Sequence, residues 1–228
     1  MKKVCCFYAI ILIAITASAQ YQNPGARLER LKVPKLTKES IYKWVKSDLE
    51  FIQIQKHDTI ADIGTFDGYY PLLYSIFSDS AVFYLNDLTT AGFSYFDTIQ
   101  GICTALKGSP LSNQYKLIIG NDSCTNLPKH LFTKVILQDA LHHFKLMDKM
   151  LSDIRDIISP QPGSKLLLYE TIRGGENNDK LCRGAMTRED LLKLLDRNGF
   201  SFSKEFRRGD SLGRLIRCHL SQAMGPAY

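Results

Sequence analysis

The sequence has no low-complexity tract and no repeat at a fixed period, which argues against fibrous and solenoid architectures. It has no concentrated stripe of Lys and Arg. The nearest approach is Arg207, Arg208, Arg214 and Arg217, which reads as the solvated edge of a hairpin, so no nucleic-acid partner is expected. No two cysteines stand at a metal-knuckle spacing. The long uncharged apolar run, Val4 to Thr16, is short for a permanent helix across a hydrocarbon core of roughly 30 Å. What remains is ordinary globular composition, 45% hydrophobic and 23% charged over 228 residues, enough for one domain with a full core.

The N-terminus differs from the rest. Lys2 and Lys3 precede the apolar run, and Ala17-Ser18-Ala19 has the small-x-small form of a cleavage site, so residues 1–19 read as a signal peptide. The protein is therefore expected to be exported, periplasmic or secreted. An uncleaved N-terminal anchor is the alternative, and only then is a membrane a partner. Cys5 and Cys6 lie inside the run and do not make a lipoprotein site. Loss of Lys2 and Lys3 lowers the net charge from +6 to +4. Cys103, Cys124, Cys182 and Cys218 follow the leader. In an exported protein they allow up to two disulfides, while Cys103 and Cys218 equally suit small core positions.

Residues 20–36 are polar and carry two prolines, a leader segment ahead of a domain over 37–228. Thr37 suits a helix cap, with Ile41, Val45 and Leu49 on one face behind it. Strands are expected at 59–63, 81–88, 115–119, 134–137 and 165–171, and helices at 69–77, 89–106, 146–158 and 187–198. The last helix opens Thr187-Arg188-Glu189-Asp190, a capping-box pattern, and ends at Gly199. Strands 201–206 and 212–220 are joined too tightly for a crossover and must be antiparallel. The expectation is an α/β, Rossmann-like three-layer sandwich: a mostly parallel seven-stranded sheet with an antiparallel last strand. Ligands of such folds bind beyond the carboxyl ends of the strands, where the strand order reverses.

The first strand ends Asp62-Ile63-Gly64-Thr65-Phe66-Asp67-Gly68, a turn whose glycines allow positive φ and close approach to a ligand. Asp62 and Asp67 argue against a diphosphate and suit a cationic or hydroxyl-rich ligand. The second strand ends Asn86-Asp87-Leu88, a carboxylate about twenty residues on, where dinucleotide folds hold ribose hydroxyls. The third ends Gly120-Asn121-Asp122-Ser123, and the fourth Gln138-Asp139-Ala140-Leu141-His142-His143.

With these four strand ends the chain resembles the class I S-adenosylmethionine-dependent methyltransferases, over about Thr37 to Leu220. The resemblance implies S-adenosylmethionine as cofactor and a small-molecule or protein methyl acceptor. It implies that Gly64, Thr65 and Gly68 line the methionine portion, beside Asp62 and Asp67. Asp87, followed by Leu88, then holds the ribose, and Asn121, Asp122 and Ser123 flank the adenine. Gln138 and Asp139 stand between cofactor and acceptor. Phe66 replaces a glycine common in that family and narrows the methionine pocket. The sequence carries no aromatic-Pro-Pro-aromatic loop after the fourth strand, so no acceptor is specified.

Asp139 and His142 are the candidate catalytic residues, His142 as a general base for an acceptor proton or, more simply, as a cap of the loop. No metal is expected, since one of two adjacent histidines points away and no third ligand stands at motif spacing. An exported non-catalytic binding or scaffold protein on the same fold is the alternative function. A dinucleotide-dependent oxidoreductase is a weaker third, lacking the second glycine of its fingerprint.

Overall fold

A computed structural model describes residues 36–173, 184–207 and 213–220. The expected signal peptide, most of the leader, Cys182, the turn at Gly209-Asp210 and the C-terminal tail lie outside the described residues. None of the described helices is long and apolar enough to cross a membrane.

The chain enters through α1 (Lys38–Ile52). Thr37 caps it in a reciprocal box with Ser40, as its position predicts. There follow β1 (Thr59–Ile63), α2 (Tyr69–Ser75), β2 (Val82–Asp87), α3 (Phe96–Lys107), β3 (Gln114–Ile119), β4 (Lys134–Gln138), α4 (Met147–Ile157), β5 (Lys165–Thr171), α5 (Arg188–Arg197), β6 (Phe200–Arg207) and β7 (Gly213–Leu220). The described strands form one seven-stranded sheet in the order β3-β2-β1-β4-β5-β7-β6. β7 runs antiparallel to both β5 and β6, and the other pairings are parallel. The expected mixed sheet is thus the observed one, and its order reverses between β1 and β4.

Alternate residues of each central strand face opposite layers, and both layers are apolar. Ile60, Phe83, Leu85, Ile136 and Leu167 pack against Ile41 and Val45 of α1, Leu72 and Leu73 of α2, and Ile99 and Cys103 of α3. Ala61, Ile63, Val135, Leu137 and Leu168 pack against Leu151 and Ile154 of α4 and Leu191 and Leu195 of α5. Cys103 and Cys218 are buried free thiols in these layers, and burial pushes both up to about 12. Cys124, half-buried, is also free.

One connection departs from the sequence reading. The expected helix over 89–106 is broken: residues Ala91–Tyr95 form a tighter 3₁₀ turn, and the α-helix begins only at Phe96. Gly92 lies in this turn, its backbone so close to Phe66 that an added Cβ would stand 2.0 Å from the Phe66 carbonyl oxygen. The crossover from β3 to β4, residues 120–133, has no helix. Asp153 of α4 holds it instead, accepting from the Thr125 amide (2.8 Å), the Thr125 hydroxyl (2.6 Å) and the Cys124 thiol (3.3 Å). Asn86 donates to the carbonyls of Ile118 and Thr125 and ties the same loop to β2.

At the amino ends of the strands, Asp58 bonds Lys134, the Thr133 hydroxyl (2.8 Å) and the Gln55 amide (2.6 Å). Lys165 sits beside Lys134 across the sheet. Burial first, then repulsion from Arg217 and Lys134, brings its amine down to about 8 against some attraction from Asp58. The folded amine therefore holds its proton less tightly than the unfolded one, so wild-type stability gains as pH rises from about 8 to about 10.5. Lys165→Met removes that dependence. Its stability relative to wild type should be highest near neutral pH and decline by about pH 10, measured as urea midpoints. A constant difference across that range would contradict the assignment.

Candidate functional site

The site is built at the carboxyl ends of β1, β2 and β4, around the point where strand order reverses. β1 ends in a turn with three residues at positive φ: Gly64 (73°), Phe66 (60°) and Gly68 (71°). The Gly64 and Thr65 amides donate to the Asn86 carbonyl at 2.9 and 3.1 Å, which fastens the turn to β2. Glycine is required at Gly64 twice over. Its φ is left-handed, and a Cβ there would stand 2.6 Å from the Ala140 Cβ in the loop after β4. The turn and the β4 loop therefore abut across the switch point. Gly68 opens α2, with the ring of Phe96 2.9 Å from where its Cβ would be.

Asp87 meets the turn directly. Its Oδ2 accepts the Phe66 amide at 2.8 Å and its Oδ1 the Leu88 amide at 2.7 Å. The residue expected to hold a ribose thus also holds the protein's own backbone, and each oxygen keeps a second lone pair for a ligand. Asp62 and Asp67 are both buried, and Asp67 accepts the Tyr69 amide at the start of α2 (3.1 Å). The Thr65 side chain is buried, and its hydroxyl has no hydrogen-bond partner among the described residues. An orphan hydroxyl at a glycine turn, beside a half-buried carboxylate, suits a ligand that brings polar groups of its own. The Phe66 ring lies against Gly92, on the β2 side of the turn, whereas Gly64 faces the β4 side.

The loop after β3 turns back on itself. Asn121 Oδ1 accepts from the Ser123 amide (3.0 Å) and hydroxyl (3.1 Å), and exposed Asp122 pairs with Lys145 at 3.3 Å. The Gly120 amide donates to the Asp87 carbonyl at 2.9 Å, which brings this loop beside the second strand end. Gln138 is engaged elsewhere. The Tyr74 hydroxyl lies 3.0 Å from its Oε1 and 3.1 Å from Asp48 Oδ2, in a crevice shared with Phe51 and Tyr169. This network links α1, α2 and β4.

Asp139 and His142 do come together, with a third residue. Asp139 has a left-handed backbone (φ 55°), and its carboxylate accepts the Thr171 hydroxyl at 3.2 Å. His142 Nδ1 lies 4.0 Å from Asp139 and 2.6 Å from Glu170 Oε2. The other Glu170 oxygen accepts the amides of Ala140 (3.2 Å) and Leu141 (2.7 Å). Burial raises the Glu170 carboxyl, against the pull of His142. Burial also lowers His143, with the His142 charge acting the same way; the two rings are 4.0 Å apart. Glu170, Asp48 and Tyr74 went unread in the sequence. For Glu170 the signal was present: one acid at the end of the apolar strand Leu166-Leu167-Leu168-Tyr169.

No family model and no curated protein sequence matches the chain. Solved structures do. A SAM-dependent methyltransferase from Aquifex aeolicus matches with a TM-score of 0.61 at 13% identity, covering 81% of this chain and 98% of its own. The N,N-8-amino-8-demethyl-D-riboflavin dimethyltransferase of Streptomyces davawensis gives 0.61 at 19%, covering 80% of this chain and 55% of its own. A SAM-dependent methyltransferase from Methanosarcina mazei gives 0.54 at 18%, covering 74% and 95%. With the strand order and the glycine turn at the switch point, these likenesses establish that the chain has the Rossmann-like fold of the class I S-adenosylmethionine-dependent methyltransferases.

Proposed function

We propose that the protein binds S-adenosylmethionine at the β1 turn and transfers its methyl group to a small-molecule or protein acceptor. The observation that carries the reading is the buried Thr65 hydroxyl without a partner among the described residues, in a turn that Asp87 holds by its backbone. The cofactor supplies a sulfonium methyl open to in-line displacement. The residues of the chain position and desolvate: Gly64, Thr65 and Gly68 offer a close backbone, Asp87 its remaining lone pairs, and Asn121, Asp122 and Ser123 a polar rim. Such transfer depends mainly on orientation, and a base matters only where the acceptor must lose a proton. Asp139 and His142 stand on the acceptor side in this reading, one residue and two residues from the Ala140 that touches Gly64.

Calorimetric titration of the protein with S-adenosylmethionine and with its demethylated product tests this. Both should bind. Asp87→Asn should weaken binding by about tenfold, the worth of one good hydrogen bond. Thr65→Val should also weaken it while leaving the unliganded protein at least as stable, because it removes a buried hydroxyl that bonds none of the described residues. Neither heat nor a thermal shift at millimolar ligand would sink the proposal.

We also infer export from the pattern of residues 1–19. Intact mass of the protein recovered from outside the cytoplasm should begin at Gln20. A full-length cytoplasmic product would overturn it.

A further inference from the structure

We propose that Asp139, His142 and Glu170 form a binding site for one divalent transition-metal ion of the zinc or manganese type. One imidazole nitrogen and two carboxylate oxygens lie within 4.8 Å of one another. The His142 and Glu170 side chains are 1% and 2% exposed, whereas that of Asp139 is 40% exposed. The group is therefore closed behind and open in front, which gives an ion a way in.

The ligands are held by independent elements before any ion arrives. Ala140 and Leu141 fix one Glu170 oxygen through their amides, so Oε2 is the one turned to His142. Thr171 orients Asp139 through its hydroxyl, and the Asp139 amide continues the sheet by donating to the Tyr169 carbonyl at 2.7 Å. Outer contacts of this kind aim metal ligands and set their basicity.

Charge points the same way. Two carboxylates and one imidazole in a mostly buried cluster carry net negative charge when ionised, and burying it is costly. A single proton between His142 and Glu170 neutralises only part of that charge. A dication neutralises all of it, and on binding it displaces that proton to solvent. The 4.0 Å separation of Nδ1 from Asp139 must narrow to about 3.4 Å for two tetrahedral ligands about 2.1 Å from a common ion. The 2.6 Å separation from Glu170 must widen as the proton leaves.

The donor set selects the class of ion. Magnesium and calcium favour all-oxygen shells, while mixed nitrogen and oxygen donors favour first-row ions. Three protein ligands leave coordination positions open, which is the pattern of a reactive site and not of a structural one. Under the methyltransferase reading, on which this role alone rests, an acceptor oxygen at an open position would lose its proton more readily. The metal site itself does not depend on that reading.

The test uses untagged full-length protein stripped with chelator, then equilibrated with Zn²⁺ or Mn²⁺ and desalted. Elemental analysis should find about one equivalent of ion, and the unfolding midpoint should rise by several degrees. Asp139→Asn, at a partly exposed position that tolerates the change, should lose most of both effects, and Glu170→Gln should lose them too. Folded wild-type protein that retains less than about a tenth of an equivalent, with an unmoved midpoint, overturns the proposal. So does full binding in both variants. Parallel titration of stripped and loaded protein with S-adenosylmethionine separates the two ideas: ion without cofactor keeps this site and removes the methyltransferase reading, and cofactor without ion does the reverse.

Discussion

The carboxylate of Asp87 is the contact on which the architecture of the ligand end depends. The turn after β1 places a phenylalanine at φ 60°, a conformation that costs a bulky L-residue on the order of 1 kcal/mol or more. A hydrogen bond from the Phe66 amide to the Asp87 carboxylate contributes roughly 1.5–3 kcal/mol, enough to offset strain of that order. With the turn so held, Gly64 can lie against Ala140 and Gly92 against Phe66, and the loops after β1, β2 and β4 converge. Without it, the backbone would relax and the three loops would lose their common reference.

Other acids perform related work elsewhere. Asp153 replaces the packing of an absent crossover helix with three bonds to the loop after β3. Asp58 closes the amino ends of β1 and β4 through Lys134 and Thr133. Glu170 gathers the loop after β4 by two amides and His142. In Asp153 and Glu170 a carboxylate from a regular element receives donors from an irregular segment. This is the physical reason a parallel sheet can carry long loops at its ligand end and still fix their backbone.

Legibility in the sequence followed the range of the interaction. The capping box at Thr37, the paired strands at the C-terminus and the glycine turn are local signals, written in residues a few positions apart. The close approach of Gly92 to Phe66 was not legible, because Phe66 lies in the preceding βα turn. The contact of Gln138 with Tyr74, which also reaches Asp48, was not legible either, because it joins two helices to a strand far apart in the chain. Glu170 comes to His142 across 28 residues by the pairing of β4 with β5, a distance no motif spacing encodes.

By itself the sequence determined the alternation of strands and helices, the antiparallel last strand and the positions of the strand-end acids, since these follow from hydrophobic period and turn chemistry. Tertiary structure alone decided what those acids face. It turned Asp87 toward the backbone of its neighbouring turn and closed Asp48 into a network with Tyr74. It also brought Asp139, His142 and Glu170 to one point. Strand register and close packing set which side chains meet, and both are properties of the assembled sheet.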